Sequence, residues 1–245
     1  VTKSFGAVQA LRHVDLDVPN GLVTALIGDN GAGKSVLIQT VSGIYPSSSG
    51  KMFWQGEEVH VHTPRDAADL GIATVYQDLA LCDNLDIVEN MYLGREETKF
   101  GLLNEVKMEQ ATKKTLIDLS VSTVKSVRQL VGSLSGGQRQ AIAVARAVMR
   151  DSKLVIMDEP TAALGVSQTA QVLSLVRTLA DRGIAVLLIS HNLNDVFSVA
   201  DRIAVMHLGT LVSQGPASNY DTASAVEMIT TGASQRVPPT LSPAL

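Results

Sequence analysis

The sequence predicts an α/β fold: a mostly parallel sheet with helices on both faces and one inserted helical segment. Three observations predict it. Short apolar runs at residues 22–27, 72–76, 154–158, 184–190 and 203–206 read as strands, and the near-continuous apolar character fits strands covered on both faces. An amphipathic stretch lies between two of them, with Val172, Leu175, Val176 and Leu179 on one helical face. From residue 77 to about 149 strand signals vanish, and helical patterns take over at 86–94 and 104–119. Strands alternating with helices argue for a parallel sheet between helical layers.

The remaining elements follow in order. Residues 11–18 alternate, with Val14, Leu16 and Val18 flanking Asp15 and Asp17, which is the period of a half-buried strand. Pro19-Asn20-Gly21 reads as a turn. A helix is expected to about Val41 after the strand at 22–27. Residues 51–54 and 58–61, with Gly56 between them, read as a small antiparallel hairpin near the N-terminus. The 245 residues are expected to form one domain. Its core is 1–77 plus 151–232, its helical subdomain 78–150, and its tail, 233–245 with Pro238, Pro239 and Pro243, is expected to be disordered. There is no internal repeat.

Composition narrows the function classes. Hydrophobic residues make up 45%, enough for a sizeable core. A net charge of −4 argues against a dedicated nucleic-acid binder, whose domain is usually basic. One cysteine, Cys82, rules out an internal disulfide and every multi-cysteine zinc pattern. No apolar run approaches the ~18–20 residues that span a bilayer, so a membrane role is expected to come through a partner. The chain opens at Val1, without an initiator Met, so a few N-terminal residues are expected to be missing.

The run Gly28-Asp29-Asn30-Gly31-Ala32-Gly33-Lys34-Ser35 follows one strand and opens one helix. That context suits a phosphate-binding loop. Backbone N–H groups converge on phosphate oxygens where no Cβ intervenes, and the helix N-terminus adds a favourable dipole. Lys34 would bring a point charge to the β/γ-phosphates of a triphosphate and Ser35 a hydroxyl to Mg²⁺. Val36 stands where a second hydroxyl often follows, and valine cannot donate to the α-phosphate.

Asp158 ends an apolar strand, where it can reach Mg²⁺ through water, and Glu159 can orient or deprotonate an attacking water. His191 follows the run at 184–190 and Gln77 the run at 72–76. Ligands of parallel sheets bind beyond the carboxyl ends of strands, so Gly28, Gln77, Asp158 and His191 are expected to form one convergent site. His191 would contact the γ-phosphate. Gln77 either senses metal or water, or caps its strand. His60 and His62 read as solvated strand residues, and His13 and His207 have no evident role. Ser135, in Leu134-Ser135-Gly136-Gly137-Gln138, can N-cap a helix running through 141–148, a second anion-binding helix end.

In this order, the phosphate loop, Gln77, the pentapeptide, the Leu154–Asp158 strand with Glu159, and His191 resemble the ATP-binding-cassette ATPases. The resemblance covers nearly the whole chain, from Thr2 to about Gly215. It implies a P-loop NTPase core with a helical subdomain that binds ATP and Mg²⁺. It implies that Ser135, Gly136 and Gly137 touch the γ-phosphate of ATP held by a second copy, so two copies would close head to tail around two ATP molecules. Phe5 resembles the aromatic residue that stacks on adenine; the alternative is a core or edge phenylalanine. Gly165 departs from the family, where an aspartate that helps communicate across the dimer is usual.

Residues 71–85, together with Asn90-Met91-Tyr92-Leu93-Gly94-Arg95-Glu96 and Gly28-Asp29-Asn30-Gly31, resemble importers of monosaccharides such as ribose, xylose or fructose. That implies an ATPase on the cytoplasmic face of a membrane, held there by permease subunits and served indirectly by a substrate-binding protein. The segment 78–95 would lie where a permease helix docks, or would only pack the helical lobe. The alternatives are an exporter ATPase and a soluble cassette protein without a transporter.

Overall fold

A computed structural model describes residues 1–121, 123–149 and 151–235. The chain begins with a two-stranded antiparallel sheet, β1 (Lys3–Phe5) and β2 (Val8–Leu11). Strand β3 (Val23–Gly28) is buried throughout and leads through the glycine loop into α1 (Lys34–Val41). The expected hairpin forms as β4 (Met52–Trp54) and β5 (Glu57–Val59). Helix α2 (Pro64–Asp69) starts with a capping box between Thr63 and Asp66 and with Pro64 in its first turn. Strand β6 (Ile72–Val75) follows.

The segment after β6 holds α3 (Ile87–Tyr92), a hairpin of β7 (Thr98–Lys99) and β8 (Leu102–Leu103), α4 (Glu105–Asp118) and α5 (Gly136–Val148). The core resumes with β9 (Leu154–Asp158), α6 (Val166–Asp181), β10 (Ala185–Ile189) and α7 (Leu193–Val199). It ends with β11 (Arg202–His207), β12 (Thr210–Pro216) and α8 (Thr222–Thr231).

Six strands form the central sheet, in the order β12-β11-β3-β10-β9-β6. All neighbouring pairs are parallel except β11 with β12. Strand alternation divides the core by face. Val155 and Met157 of β9 pack with Ile142 and Val144 of α5 and with Leu175, Val176 and Leu179 of α6. Leu154 and Ile156 point the other way, toward Leu37 and Ile38 of α1 and Ala67 of α2. Ala25 and Ile27 of β3 pack with Val196 of α7 and with Ala225 and Met228 of α8. The helical segment is thus continuous with the core: α5 covers one face of the same sheet. Val172, Leu175, Val176 and Leu179 are all buried, as their spacing predicts.

Three expectations fail in detail. Residues 12–18 form no strand, although their burial alternates as the pattern predicts: Val14 is buried, Asp15 and Asp17 are exposed, and Leu16 and Val18 are half-buried. Their polar backbone is tied singly, with Val14 N–H donating to the Val1 carbonyl and Asp17 N–H to Gln214 Oε1, rather than to a neighbouring strand. The helical segment contains a hairpin, β7–β8, which carries too little hydrophobic alternation to be seen. His60 and His62 lie after β5 rather than in it; both are exposed, as expected, with rings stacked 6.2 Å apart. The expected disordered tail falls, from residue 236 onward, outside the described residues. Among the described residues no helix is long and apolar enough to cross a membrane.

Candidate functional site

The phosphate loop is wedged against backbone. A Cβ at Gly28 would lie 2.5 Å from the Met206 carbonyl oxygen of β11, and one at Gly33 would lie 2.9 Å from the Ala10 carbonyl oxygen of β2. Gly33 also holds φ at 100°, where side chains are strained, and begins α1 without a side-chain cap. Asp29, Asn30, Gly31 and Ser35 are exposed, while Ala32 and Lys34 are buried. Lys34 Nζ donates to the carbonyls of Gly28, at 2.7 Å, and Asp29, at 3.0 Å. Burial lowers the Lys34 pKa, and the charges of Glu159, Asp158 and Asp29 oppose that shift. Val36 is half-buried against the core beneath the loop.

Four neighbouring parallel strands, β3, β10, β9 and β6, end at or just before Gly28, His191, Asp158 and Gln77. Burial raises the Asp158 carboxyl above the usual carboxylate range, with Glu159 adding to the effect and Lys34 opposing it. Among the described residues no hydrogen bond reaches the Asp158 carboxylate, so its oxygens remain available as ligands. Glu159 Oε2 lies 2.6 Å from His191 Nδ1; the Glu159 side chain is 17% exposed and that of His191 67%. Glu159 has φ of 51°, an uncommon backbone for a residue with a side chain. Its N–H donates to the Ile189 carbonyl at 3.0 Å, so β10 holds the turn that carries it. Such strain costs on the order of 1–3 kcal/mol and collects at functional sites.

The pentapeptide starts α5, and Ser135 is its N-cap. Ser135 Oγ accepts from Gln138 N–H, and Gln138 Oε1 accepts from Ser135 N–H at 2.9 Å, a capping box. Gln138 Nε2 also donates to the Thr123 carbonyl at 2.6 Å. Ser135 and Gly136 are exposed and Gly137 is buried. This turn rests on α6 and on the turn before it: a Cβ at Gly136 would meet Leu164 Cδ2 at 2.8 Å, and one at Gly137 would meet Gln168 Cβ of α6 at 3.0 Å. Gly165 is the N-cap of α6, without a side-chain cap and with open space where a Cβ would stand.

Phe5 belongs to β1 and is 42% exposed, which excludes the core alternative. The Tyr45 ring stands edge-on to it at 5.1 Å, and Lys3 Nζ lies 5.0 Å from its ring centre. Lys3 and Tyr45 did not stand out in the sequence, because nothing in their spacing links them to Phe5.

A glycine loop opening a helix at adjacent strand ends, with a buried lysine in the field of a half-buried acid, defines a phosphate-binding α/β domain. Residues 11–162 match the ABC transporter family. The xylose/arabinose import ATP-binding protein XylG of Sulfolobus acidocaldarius is 44% identical over 97% of this chain and 94% of its own length. The fructose import ATP-binding protein FrcA of Rhizobium meliloti is 43% identical over 94% and 91%. A nucleotide-free ATP-binding cassette from an ABC transporter superposes with a TM-score of 0.79 at 28% identity, covering 88% of each chain. The ADP conformation of another such cassette gives 0.79 at 27% identity, covering 94% of this chain and 92% of its own. The chain belongs to the ABC transporter family.

Proposed function

We propose that the chain is the ATP-hydrolysing subunit of an importer for a monosaccharide. The observation that carries hydrolysis is the convergence of Gly28, His191, Asp158 and Gln77 on four neighbouring strand ends, with Glu159 and His191 in contact at 2.6 Å. The xylose/arabinose and fructose import relatives support the substrate class.

In this reading, loop N–H groups of residues 28–35 hold the phosphates, and Lys34 exchanges its carbonyl partners for β/γ-phosphate oxygens. The exposed hydroxyl of Ser35, the free carboxylate of Asp158 and the amide of Gln77 form an oxygen-rich donor set that suits Mg²⁺. Bound Mg²⁺ would supply charge compensation for the transferred phosphoryl group. Glu159 orients the attacking water and accepts its proton. His191 Nδ1 fixes the Glu159 carboxylate and leaves the rest of its exposed ring for the γ-phosphate. Phe5, with Tyr45 and Lys3 around it, stacks on adenine.

Ser135, Gly136 and Gly137 serve ATP held by a second copy, with Gln138 shaping their turn, so the working unit is a head-to-tail pair. A cleft of about 280 Å³ lies between α2 and β6 on one side and α5 on the other, lined by Ala67, Tyr76, Leu79, Leu93, Ala143 and Arg146 among others. Its lining runs along the chain on both sides of Gln77, through Tyr76 and Asp78, and it suits a permease's cytoplasmic helix. Any shift of the helical subdomain (78–150) against the core (1–77 and 151–232) as ATP binds and leaves would have to repack the face of the sheet that α5 covers. The test is co-expression with candidate permease subunits, followed by ATPase and uptake assays in proteoliposomes supplied with the binding protein. Sugar-stimulated hydrolysis with uptake is expected. Absence of hydrolysis, or a cassette that never associates with a permease, would overturn the reading.

A further inference from the structure

Two turns bring Glu159 and His191 together, and a second contact joins the Glu159 turn to the first turn of α7. Thr161 Oγ1 donates to Asp195 Oδ2 at 2.7 Å, and both residues are only 8% exposed. Thr161 lies two residues after Glu159, and Asp195 four residues after His191. The turn at 159–164 has few bonds of its own, Ala162 N–H to the Glu159 carbonyl at 3.3 Å and Leu164 N–H to the Thr161 carbonyl at 3.2 Å, both long. It also contains the left-handed backbone at Glu159. In the turn after β10, Asn192 N–H donates to Ser190 Oγ and Asn194 N–H to the capping Asn192 Oδ1, both at 3.1 Å.

We propose that Asp195 and Thr161 are positioning residues for ATP hydrolysis, a buried strut that ties the Glu159 turn to the start of α7, just beyond His191. A charge-assisted bond shielded from water is stronger than an exposed neutral one, and removing one partner leaves the other buried and unpaired. The strained backbone at Glu159 persists only where its surroundings over-determine it. The Glu159 N–H bond to the Ile189 carbonyl fixes the start of the turn, and the Glu159–His191 contact is open to water on the His191 side, so neither holds the residues that follow Glu159. The strut sets where the Glu159 carboxylate points, and so how well it addresses the attacking water, without touching nucleotide.

The inference rests on the ATPase reading, and the experiment separates the two. Steady-state hydrolysis is compared for the native protein, Thr161→Val, Thr161→Ser, Asp195→Ala and the Thr161→Val/Asp195→Ala double variant. The His191 ring resonances of the nucleotide-free proteins are followed by NMR in parallel. Thr161→Val is expected to lower kcat about tenfold or more, as small misplacements at a reacting centre do, with KM for ATP within about twofold. Thr161→Ser keeps the hydroxyl and restores kcat. The double variant is no worse than the worse single one, because both remove one bond. The His191 resonances shift in Thr161→Val and not in Thr161→Ser. Native kcat and unshifted resonances in Thr161→Val would overturn the strut, as would losses in KM alone or additive losses in the double variant. A native protein that hydrolyses nothing would instead sink the ATPase reading, while the His191 resonances still decide the strut.

Discussion

The phosphate loop and the pentapeptide turn are both glycine-bearing starts of helices, but they are walled differently. Gly28 and Gly33 face carbonyl oxygens of β11 and β2. Gly136 and Gly137 face the side chains of Leu164 and Gln168. Helix α1 starts at a left-handed glycine without a side-chain cap, whereas α5 starts at a serine locked in a capping box. The loop therefore has its shape fixed by the backbone of the core, which cannot yield. The pentapeptide turn keeps a rigid backbone of its own but rests on side chains that can repack. One end is a preformed receptor; the other is a surface that can adjust to a partner.

The largest effect is expected at Gly28. Gly28→Ala places a Cβ against a main-chain oxygen, so ATP binding should fall below detection by calorimetry while circular dichroism shows a folded chain. Met206→Ala should not rescue it, because the obstacle is the carbonyl; a rescue would erase the contrast. Next is Glu159→Gln, which should cut hydrolysis by ~10²–10⁴ while keeping ATP affinity and trapping a dimer on gel filtration. A variant that stays monomeric at saturating ATP and Mg²⁺ would separate the two helix ends functionally. Val36→Thr adds a donor at the loop and should tighten ATP binding about tenfold, given ~1–3 kcal/mol for a charge-assisted bond; an unchanged Kd would show that α1 offers the hydroxyl no phosphate.

Gly136→Ala should weaken ATP-dependent dimerisation only a few-fold, with monomer ATP affinity intact, and Leu164→Ala should restore it, since the obstacle there is a methyl group. A failed rescue would make the two walls alike. The smallest effect is at Gly165. Gly165→Asp meets open space and supplies the missing cap of α6, worth a few tenths of a kcal/mol over glycine and a melting shift of ~1 °C. A drop in melting temperature would show that the start of α6 is constrained by something other than its cap.

The parallel strands were legible because burial on both faces leaves a continuous apolar run, as in Val23–Gly28 and Ala185–Ile189. The site was legible because glycines, a lysine and acids stand at the ends of those runs. Residues 12–18 misled because alternation reports which side chains are buried, not whether the backbone pairs. Strand β12 was missed because Ser213, Gln214 and Gly215 dilute its pattern, although it completes the sheet beside β11. Helix α2 has a readable start, Thr63-Pro64 with Asp66, but only two alanines from which to form an apolar stripe. The Thr161–Asp195 bond joins residues 34 apart, a pairing that no local pattern specifies.

The strand order β3-β10-β9-β6 also makes the sheet a ruler. Neighbouring strands lie ~4.8 Å apart, so the ends that carry Gly28, His191, Asp158 and Gln77 are graduated across ~14 Å. Chain connectivity does not set those intervals; interstrand hydrogen bonding does. A slip of one residue in β9, where Asp158 is paired with Ile189, would advance that mark by ~3.3 Å and turn its carboxylate to the opposite face. The buried alternation of Leu154, Val155, Ile156 and Met157 between two different apolar layers forbids that slip. The hydrophobic core thereby calibrates the spacing at which the polar groups meet phosphate.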